Sequence, residues 1–232
     1  MKNLFSPKLS RPLVVASVHS SAGLRLAARL RSRDVDVLEL RADAFAGSDG
    51  KISRFLAEVE LPVLLTVRHP AEGGIGKLSH GARKALFEKL LPHAALVDVE
   101  LRSALVMRSV VTEAKERGIP VVVSDHHFQR SPTLAQMRNR MRRAFAAGAD
   151  IFKLAVRTDN GASLARLLDF VSTGKPRSLA VMGMGKFGLV SRLVLACAGS
   201  VLNYGYLDRP NASGQWEARE LRKLLIQLGC RG

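Results

Sequence analysis

A chain of 232 residues with 47% apolar content can fill one large hydrophobic core, and no composition shift marks a linker between domains. Its 36 Lys and Arg against 20 Asp and Glu give a net charge of +16, a balance that suits nucleic acid or the attraction of an anionic substrate; aromatics at 5% and the lack of RNA-binding or zinc-finger signatures argue against nucleic acid. No apolar run reaches transmembrane length and residues 1–8 form no apolar signal region, so a cytoplasmic protein is expected, with Cys197 and Cys230 as reduced structural thiols.

Strand-like apolar runs recur about every 23 to 33 residues, each followed by a helical pattern. In chain order they fall at 13–18, 35–41, 62–68, 95–101, 120–126, 150–155, 178–184 and 201–206. Helical segments among them include 22–33, 82–91, 104–117, 134–147 and 215–228. In the fourth of these, Met137, Met141 and Phe145 define an apolar side, which sends Arg138, Arg140, Arg142 and Arg143 outward. Eight such units predict an α/β fold, a (β/α)8 TIM barrel forming a single domain over 1–232. A doubly wound open sheet is the second choice, because the first βα turn lacks GxGxxG and no GxxxxGK[ST] occurs.

Side chains alternate across a strand, and the outer face of a barrel must be apolar to receive helices. That parity turns Glu39 and Arg41 inward in the second strand, Thr66 and Arg68 in the third, Asp98 and Glu100 in the fourth, Ser124 and His126 in the fifth, and Lys153 in the sixth. A lone lysine in the apolar run Ile151-Phe152-Lys153-Leu154-Ala155-Val156 would ordinarily snorkel to water. Its convergence with the other inward polar groups near the carboxyl ends of the strands, where barrel enzymes keep their chemistry, favours a catalytic role. Two readings stand for Asp98 and Glu100, which serve the chemistry or only neutralise the arginines and the lysine.

Burial, and the flanking arginines expected here, favour the neutral, nucleophilic form of an ammonium group. Such an amine suits a Schiff base with a ketone or aldehyde, whose iminium is an electron sink for a carbanion formed next to it. His126 has the right parity to move the proton, and Glu72, in the loop after the third strand, is placed to orient the imidazole. No cluster with metal-ligand spacing stands nearby, so catalysis without metal or cofactor is expected.

These residues resemble the type I 3-dehydroquinate dehydratases of the shikimate pathway over nearly the whole chain. The resemblance rests on the order of Glu39-Leu40-Arg41-Ala42-Asp43, Thr66-Val67-Arg68 with Glu72-Gly73-Gly74, Asp98-Val99-Glu100-Leu101 and Ser124-Asp125-His126-His127-Phe128. It continues through Asp150-Ile151-Phe152-Lys153-Leu154-Ala155, Met182-Gly183-Met184-Gly185-Lys186, Ser191-Arg192 and Gly214-Gln215. It implies conversion of 3-dehydroquinate to 3-dehydroshikimate and water, with Lys153 forming the imine and His126, held by Glu72, acting as general base and acid. By the same matching Arg192 takes the substrate carboxylate, Ser17, Glu39, Arg41, Arg68 and Gln215 take carboxylate or ring hydroxyls, and Met182 and Met184 form either an apolar wall or ordinary core. A homodimer is compatible with it, and neither membrane nor specific nucleic acid is implied.

The chain departs from the family pattern at Phe187, where a glutamate is usual, at Asn211, where a serine is, and at Ser213, where a proline is. Asn211 still hydrogen-bonds a hydroxyl, so it joins the expected binding residues, while the closing of its loop over substrate is left open. His127 replaces a frequent aspartate, and its opposite parity leaves His126 as the catalytic histidine. The rivals are a class I aldolase, whose phosphate cradle would fall at Met182-Gly183-Met184-Gly185-Lys186, and a basic nucleic-acid-binding protein without catalysis.

Overall fold

Eight short parallel strands place the polar ends of the predicted segments on a common rim. The computed structural model describes residues 11–173 and 178–230; the leaderless stretch expected at residues 1–8 lies outside them. The strands are β1 (Leu13–Val18), β2 (Val37–Arg41), β3 (Val63–Thr66), β4 (Leu96–Glu100), β5 (Val121–His127), β6 (Ile151–Arg157), β7 (Ser178–Met184) and β8 (Leu202–Tyr206). The helices are α1 (Ser21–Ala27), α2 (Asp49–Glu58), α3 (His80–Leu90), α4 (Arg108–Glu116), α5 (Leu134–Ala146), α6 (Gly161–Thr173), α7 (Gly188–Ala198) and α8 (Ala218–Gln227). The sheet runs β7-β6-β5-β4-β3-β2-β1-β8 with every ladder parallel. At its seam, Val201 N donates to Leu179 O at 2.8 Å and the Ser200 hydroxyl accepts from Val181 N at 2.9 Å, so the barrel is nearly closed.

Alternation divides the core in two. Leu13, Val15, Val37, Leu64, Leu96, Val122, Ile151, Ala180 and Leu202 fill the barrel interior, while Val14, Leu38, Leu65, Val97, Val123, Phe152 and Val181 face the helices. Near the carboxyl ends the inner positions turn polar. Ser17 lies beside Glu39, Thr66 beside Asp98, and Ser124 beside Lys153 in register.

Side-chain chemistry sets several boundaries. Thr133 and Gln136 form a capping box that starts α5, and Met137, Met141 and Ala144 bury its inner stripe. Arg138, Arg142 and Arg143 are exposed as expected, whereas half-buried Arg140 turns back to donate to Asp125 at 2.8 Å. β3 ends before Arg68, whose amide donates to the Asp43 carboxylate at 3.1 Å instead of continuing a ladder. The segment expected as one helix over 104–117 begins as a 3-10 turn at Leu101–Ser103 and becomes α4 only at Arg108.

The two cysteines are not free thiols. Cys197, in the last turn of α7, and Cys230, just past α8, form a disulfide with their Cα atoms 5.0 Å apart. Two cysteines in a chain read as cytoplasmic gave no reason to pair them; the ring of helices does, because it sets α7 against α8. The bond closes a loop between residues 33 apart, which by loop entropy stabilises the fold by roughly 3.7 kcal/mol. Dithiothreitol is therefore expected to lower Tm by about 7 to 15 °C, taking about 2–4 °C per kcal/mol for a chain of this size. Cys197→Ser should reproduce that loss and no longer respond to reductant; equal melting curves for oxidised and reduced protein would contradict the crosslink.

Candidate active site

A cavity of about 80 Å³ opens at the carboxyl-terminal mouth of the barrel, with Glu39, Arg41, Arg68, Glu72, His126, Lys153, Arg192, Asn211 and Gln215 among its lining residues. Nine of the ten site residues expected from the sequence thus meet at one place. The tenth, Ser17, is fully buried behind Glu39, donating to its Oε2 at 2.8 Å and accepting from Asn211 Nδ2 at 3.0 Å. Met182 and Met184 line the cavity as an apolar wall.

Lys153 is 4% exposed, and its nearest charges are carboxylates, not the arginines expected beside it. Nζ lies 3.0 Å from Asp98 Oδ2 and 3.5 Å from Glu39 Oε1, with the Tyr204 ring centroid 3.8 Å away. Burial works against the Asp98 charge, but Arg68 and Lys153 overcome it and hold this carboxyl well below the usual carboxylate range. Arg68 donates to both Asp98 oxygens at 3.1 and 2.9 Å, to Glu100 at 3.2 Å and to Ser124 at 2.6 Å. The cations Lys153, Arg68 and Arg83 thereby balance the anions Asp98, Glu39 and Glu100 charge for charge.

Of the two readings held for Asp98 and Glu100, neutralisation describes their contacts in the resting site, since neither is among the cavity-lining residues. Glu100 pairs with Arg83 at 2.5 Å and accepts from His69 N at 2.8 Å. Arg83, on α3, is fully buried and also donates to Val67 O at 2.8 and 3.0 Å and to Ser103 at 3.1 Å. Sequence parity missed it because it enters from a helix. Asp43 was quoted only as part of a motif, yet it accepts from Arg41 at 2.8 and 3.0 Å and from the amides of Arg68 and Ile75, fixing the loop that carries Glu72. Gly74 in that loop is required by space, because a Cβ there would stand 2.5 Å from Arg68 O.

His126 points into the mouth, with Nδ1 2.7 Å from Glu72 Oε2 and its ring stacked on Phe128. Burial first, then the charges of Arg68 and Lys153, hold the imidazole well below its ordinary pKa, with Asp98 opposing. Burial also pushes Glu72 up to about 8; Arg68 pulls it down, and Glu100 and Asp125 push it further up. His127 faces the other way, bonded to Asp125 at 3.0 Å, as its parity predicts.

Arg192 is 2% exposed and has no carboxylate partner among the described residues. It donates to the carbonyls of Gly214 and Tyr204, each at 2.9 Å, and its burial lowers the guanidinium pKa to about 10. The loop that includes Asn211 and Gln215 is folded over the mouth. Asn211 N donates to Gln215 Oε1 at 3.1 Å, Gly185 N donates to Ser213 Oγ at 3.0 Å, and Gly188 and Gly214 approach so closely that a Cβ on either would clash with backbone. Asn211 and Ser213, the two departures in this loop, therefore both make closing contacts. These contacts also disfavour an aldolase phosphate cradle, since the Gly185 amide is taken by Ser213 and the Lys186 amide by Asp159.

Among the described residues, no cluster of three or more His, Cys, Asp or Glu side chains is placed to hold a metal ion, and no helix is long and apolar enough to cross a membrane. A family model described as Type I 3-dehydroquinase matches residues 12–230. A 3-dehydroquinate dehydratase of Methanocella arvoryzae is 35% identical over 221 residues, covering 95% of this chain and 98% of that protein. The solved 3-dehydroquinate dehydratase of Geobacillus kaustophilus superposes with a TM-score of 0.87 at 27% identity, covering 95% of this chain and 92% of the other. The type I enzyme of Clostridium difficile, solved with covalently modified comenic acid, gives a TM-score of 0.84 at 27% identity, covering 94% and 92% of the two chains.

Proposed function

The chain belongs to the type I 3-dehydroquinase family, and on that premise we propose that its reaction, the dehydration of 3-dehydroquinate to 3-dehydroshikimate, runs through an imine on Lys153. The observation that carries this reading is that, among the described residues, the one buried lysine and a buried guanidinium with no carboxylate partner face one cavity, a pair that fits a keto acid. Lys153 Nζ, in its neutral form, adds to the ketone, and the carbinolamine loses its hydroxyl as water to give the iminium. His126 then takes the C2 proton, the electron pair flows toward the nitrogen, and the C1 hydroxyl leaves with a proton returned by the same histidine. Water hydrolyses the product iminium and replaces the molecule released when it formed, so the net change is loss of one water.

In this reading Arg192 receives the substrate carboxylate in bidentate fashion. Glu39, Arg41, Arg68, Asn211 and Gln215 surround the ring and its hydroxyls, and Ser17 acts through Glu39. The catalytic unit is one domain of residues 1–232, acting in the cytoplasm without metal, cofactor or nucleic-acid partner, alone or as a homodimer. Borohydride added during turnover is expected to add one reduced ligand to the protein, mapped to the peptide containing Lys153. An unmodified protein under those conditions would refute the imine.

The histidine and glutamate predict a pH profile. With one proton shared between them, the Glu72 carboxyl donates to Nδ1 and Nε2 carries hydrogen, which is the acid form. Loss of the Nε2 hydrogen, with the shared proton passing to Nδ1, leaves the carboxylate accepting from Nδ1–H and frees the Nε2 lone pair for the C2 proton. Since burial sets this loss at about pH 8, kcat/KM is expected to rise with pH toward 8. Glu72→Gln should move that acid limb to lower pH while slowing the expulsion of the hydroxyl; a limb unmoved in the variant would rule out Glu72 as the titrating partner.

A further inference from the structure

Tyr204, at an inner position of β8, was not singled out by any sequence motif. It is 3% exposed, it lines the cavity, and its ring face lies against Lys153 Nζ at 3.8 Å. Its hydroxyl is buried without a hydrogen-bond partner among the described residues, so the phenol is not held there by its oxygen. Its carbonyl accepts from Arg192, so one residue touches the amine and also brackets the guanidinium.

We propose that the π face of Tyr204 is a catalytic element that stabilises the positive charge on the Lys153 nitrogen while that nitrogen is an iminium. This rests on the imine reading above and deepens it. The resting ammonium has three N–H bonds, enough to serve Asp98 and Glu39 together. Once the nitrogen is doubly bonded to the substrate carbon, one N–H remains, so at least one of those hydrogen bonds is lost while the charge persists. A ring face needs no N–H to attract a cation, and a planar iminium stacks on it as well as an ammonium does.

The ring also accepts no proton, so it leaves the iminium protonated and electron-withdrawing. When the C2 proton departs, the nitrogen becomes a neutral enamine and this attraction falls; when the C1 hydroxyl leaves, the iminium and the attraction return. Burial first, then Glu39 and Asp98, keep the phenol far from ionising, so the face remains that of a neutral ring.

Replacement by Phe and by Phe carrying one, two and three ring fluorines tests this, because fluorine drains the face while shape is nearly kept. Tyr204→Phe is expected to hold kcat within about 2-fold and to melt no lower than the parent, since only an unpartnered hydroxyl is lost. Along the fluorinated series kcat should fall in steps to roughly 10-fold, with KM changing little, and Tyr204→Leu should fall at least as far. A flat series in folded variants would overturn the proposal. So would Tyr204→Phe losing as much as Tyr204→Leu, since the hydroxyl would then carry the effect. Borohydride trapping on the parent protein separates the two levels: no adduct there removes the imine itself, whereas an adduct with a flat series removes only the role of the ring.

Discussion

Lys153→Ala is expected to lower turnover by roughly 10,000-fold or more, equivalent to at least about 5 kcal/mol of transition-state stabilisation. Without the amine, C2 deprotonation must generate a carbanion with no iminium to receive the electron pair, and the remaining groups only bind and polarise. The fold should survive, because the charges left behind keep partners. Asp98 retains both bonds from Arg68, and Glu39 retains Ser17 at 2.8 Å and Thr66 at 3.1 Å. The loss in stability should therefore fall below the roughly 3–5 kcal/mol seen when a buried charge is orphaned. Lys153→Met, which keeps the stem among Ile151, Ala155 and Met182, should be equally inactive and more stable than the alanine variant. Product absorbance, mass after borohydride and thermal melting decide the matter together; retention of more than about 1% of turnover would remove Lys153 as the nucleophile.

The barrel was legible because period-two alternation is strict in β2, β4 and β6, where Glu39, Asp98 and Lys153 each interrupt an apolar strand on the inner face. Parity alone separated His126 from His127, and the structure turns them to opposite sides. Parity says nothing about residues that reach the site from elsewhere. Arg83 arrives from α3, and Asp43 from a 3-10 turn after β2; both depend on distances that no periodicity encodes. The same limit explains the misjudged lysine environment. Counting inward arginines suggested cationic neighbours, whereas register places Thr66 and Asp98 side by side and brings Asp98 between Arg68 and Lys153. Tyr204 was missed because an inner aromatic among Leu202, Met182 and Ala180 reads as filling. Its function rests on one contact, to a nitrogen from a different strand.

His126→Ala is expected to separate the two halves of the reaction. Imine formation needs the amine, the ketone and a water to leave, and Lys153 with its carboxylate neighbours is untouched by the change. Removal of the C2 proton and return of a proton to the C1 hydroxyl need Nε2, which no other described side chain supplies at that wall of the cavity. General acid–base catalysis is worth roughly 100- to 10,000-fold, so kcat should fall by that amount while substrate still reaches the lysine. Protein mixed with 3-dehydroquinate should then accumulate a Lys153 adduct, visible by mass after borohydride at far higher occupancy than in the parent protein. Glu72 would lose its 2.7 Å partner and, being buried, keep its proton to still higher pH, so no compensating base arises beside it. His127→Ala gives the contrast, because that ring is tied to Asp125 outside the cavity; it should leave adduct occupancy and the pH profile unchanged. Accumulation in His127→Ala rather than His126→Ala would reverse the assignment of the two histidines and, with it, the inward face of β5.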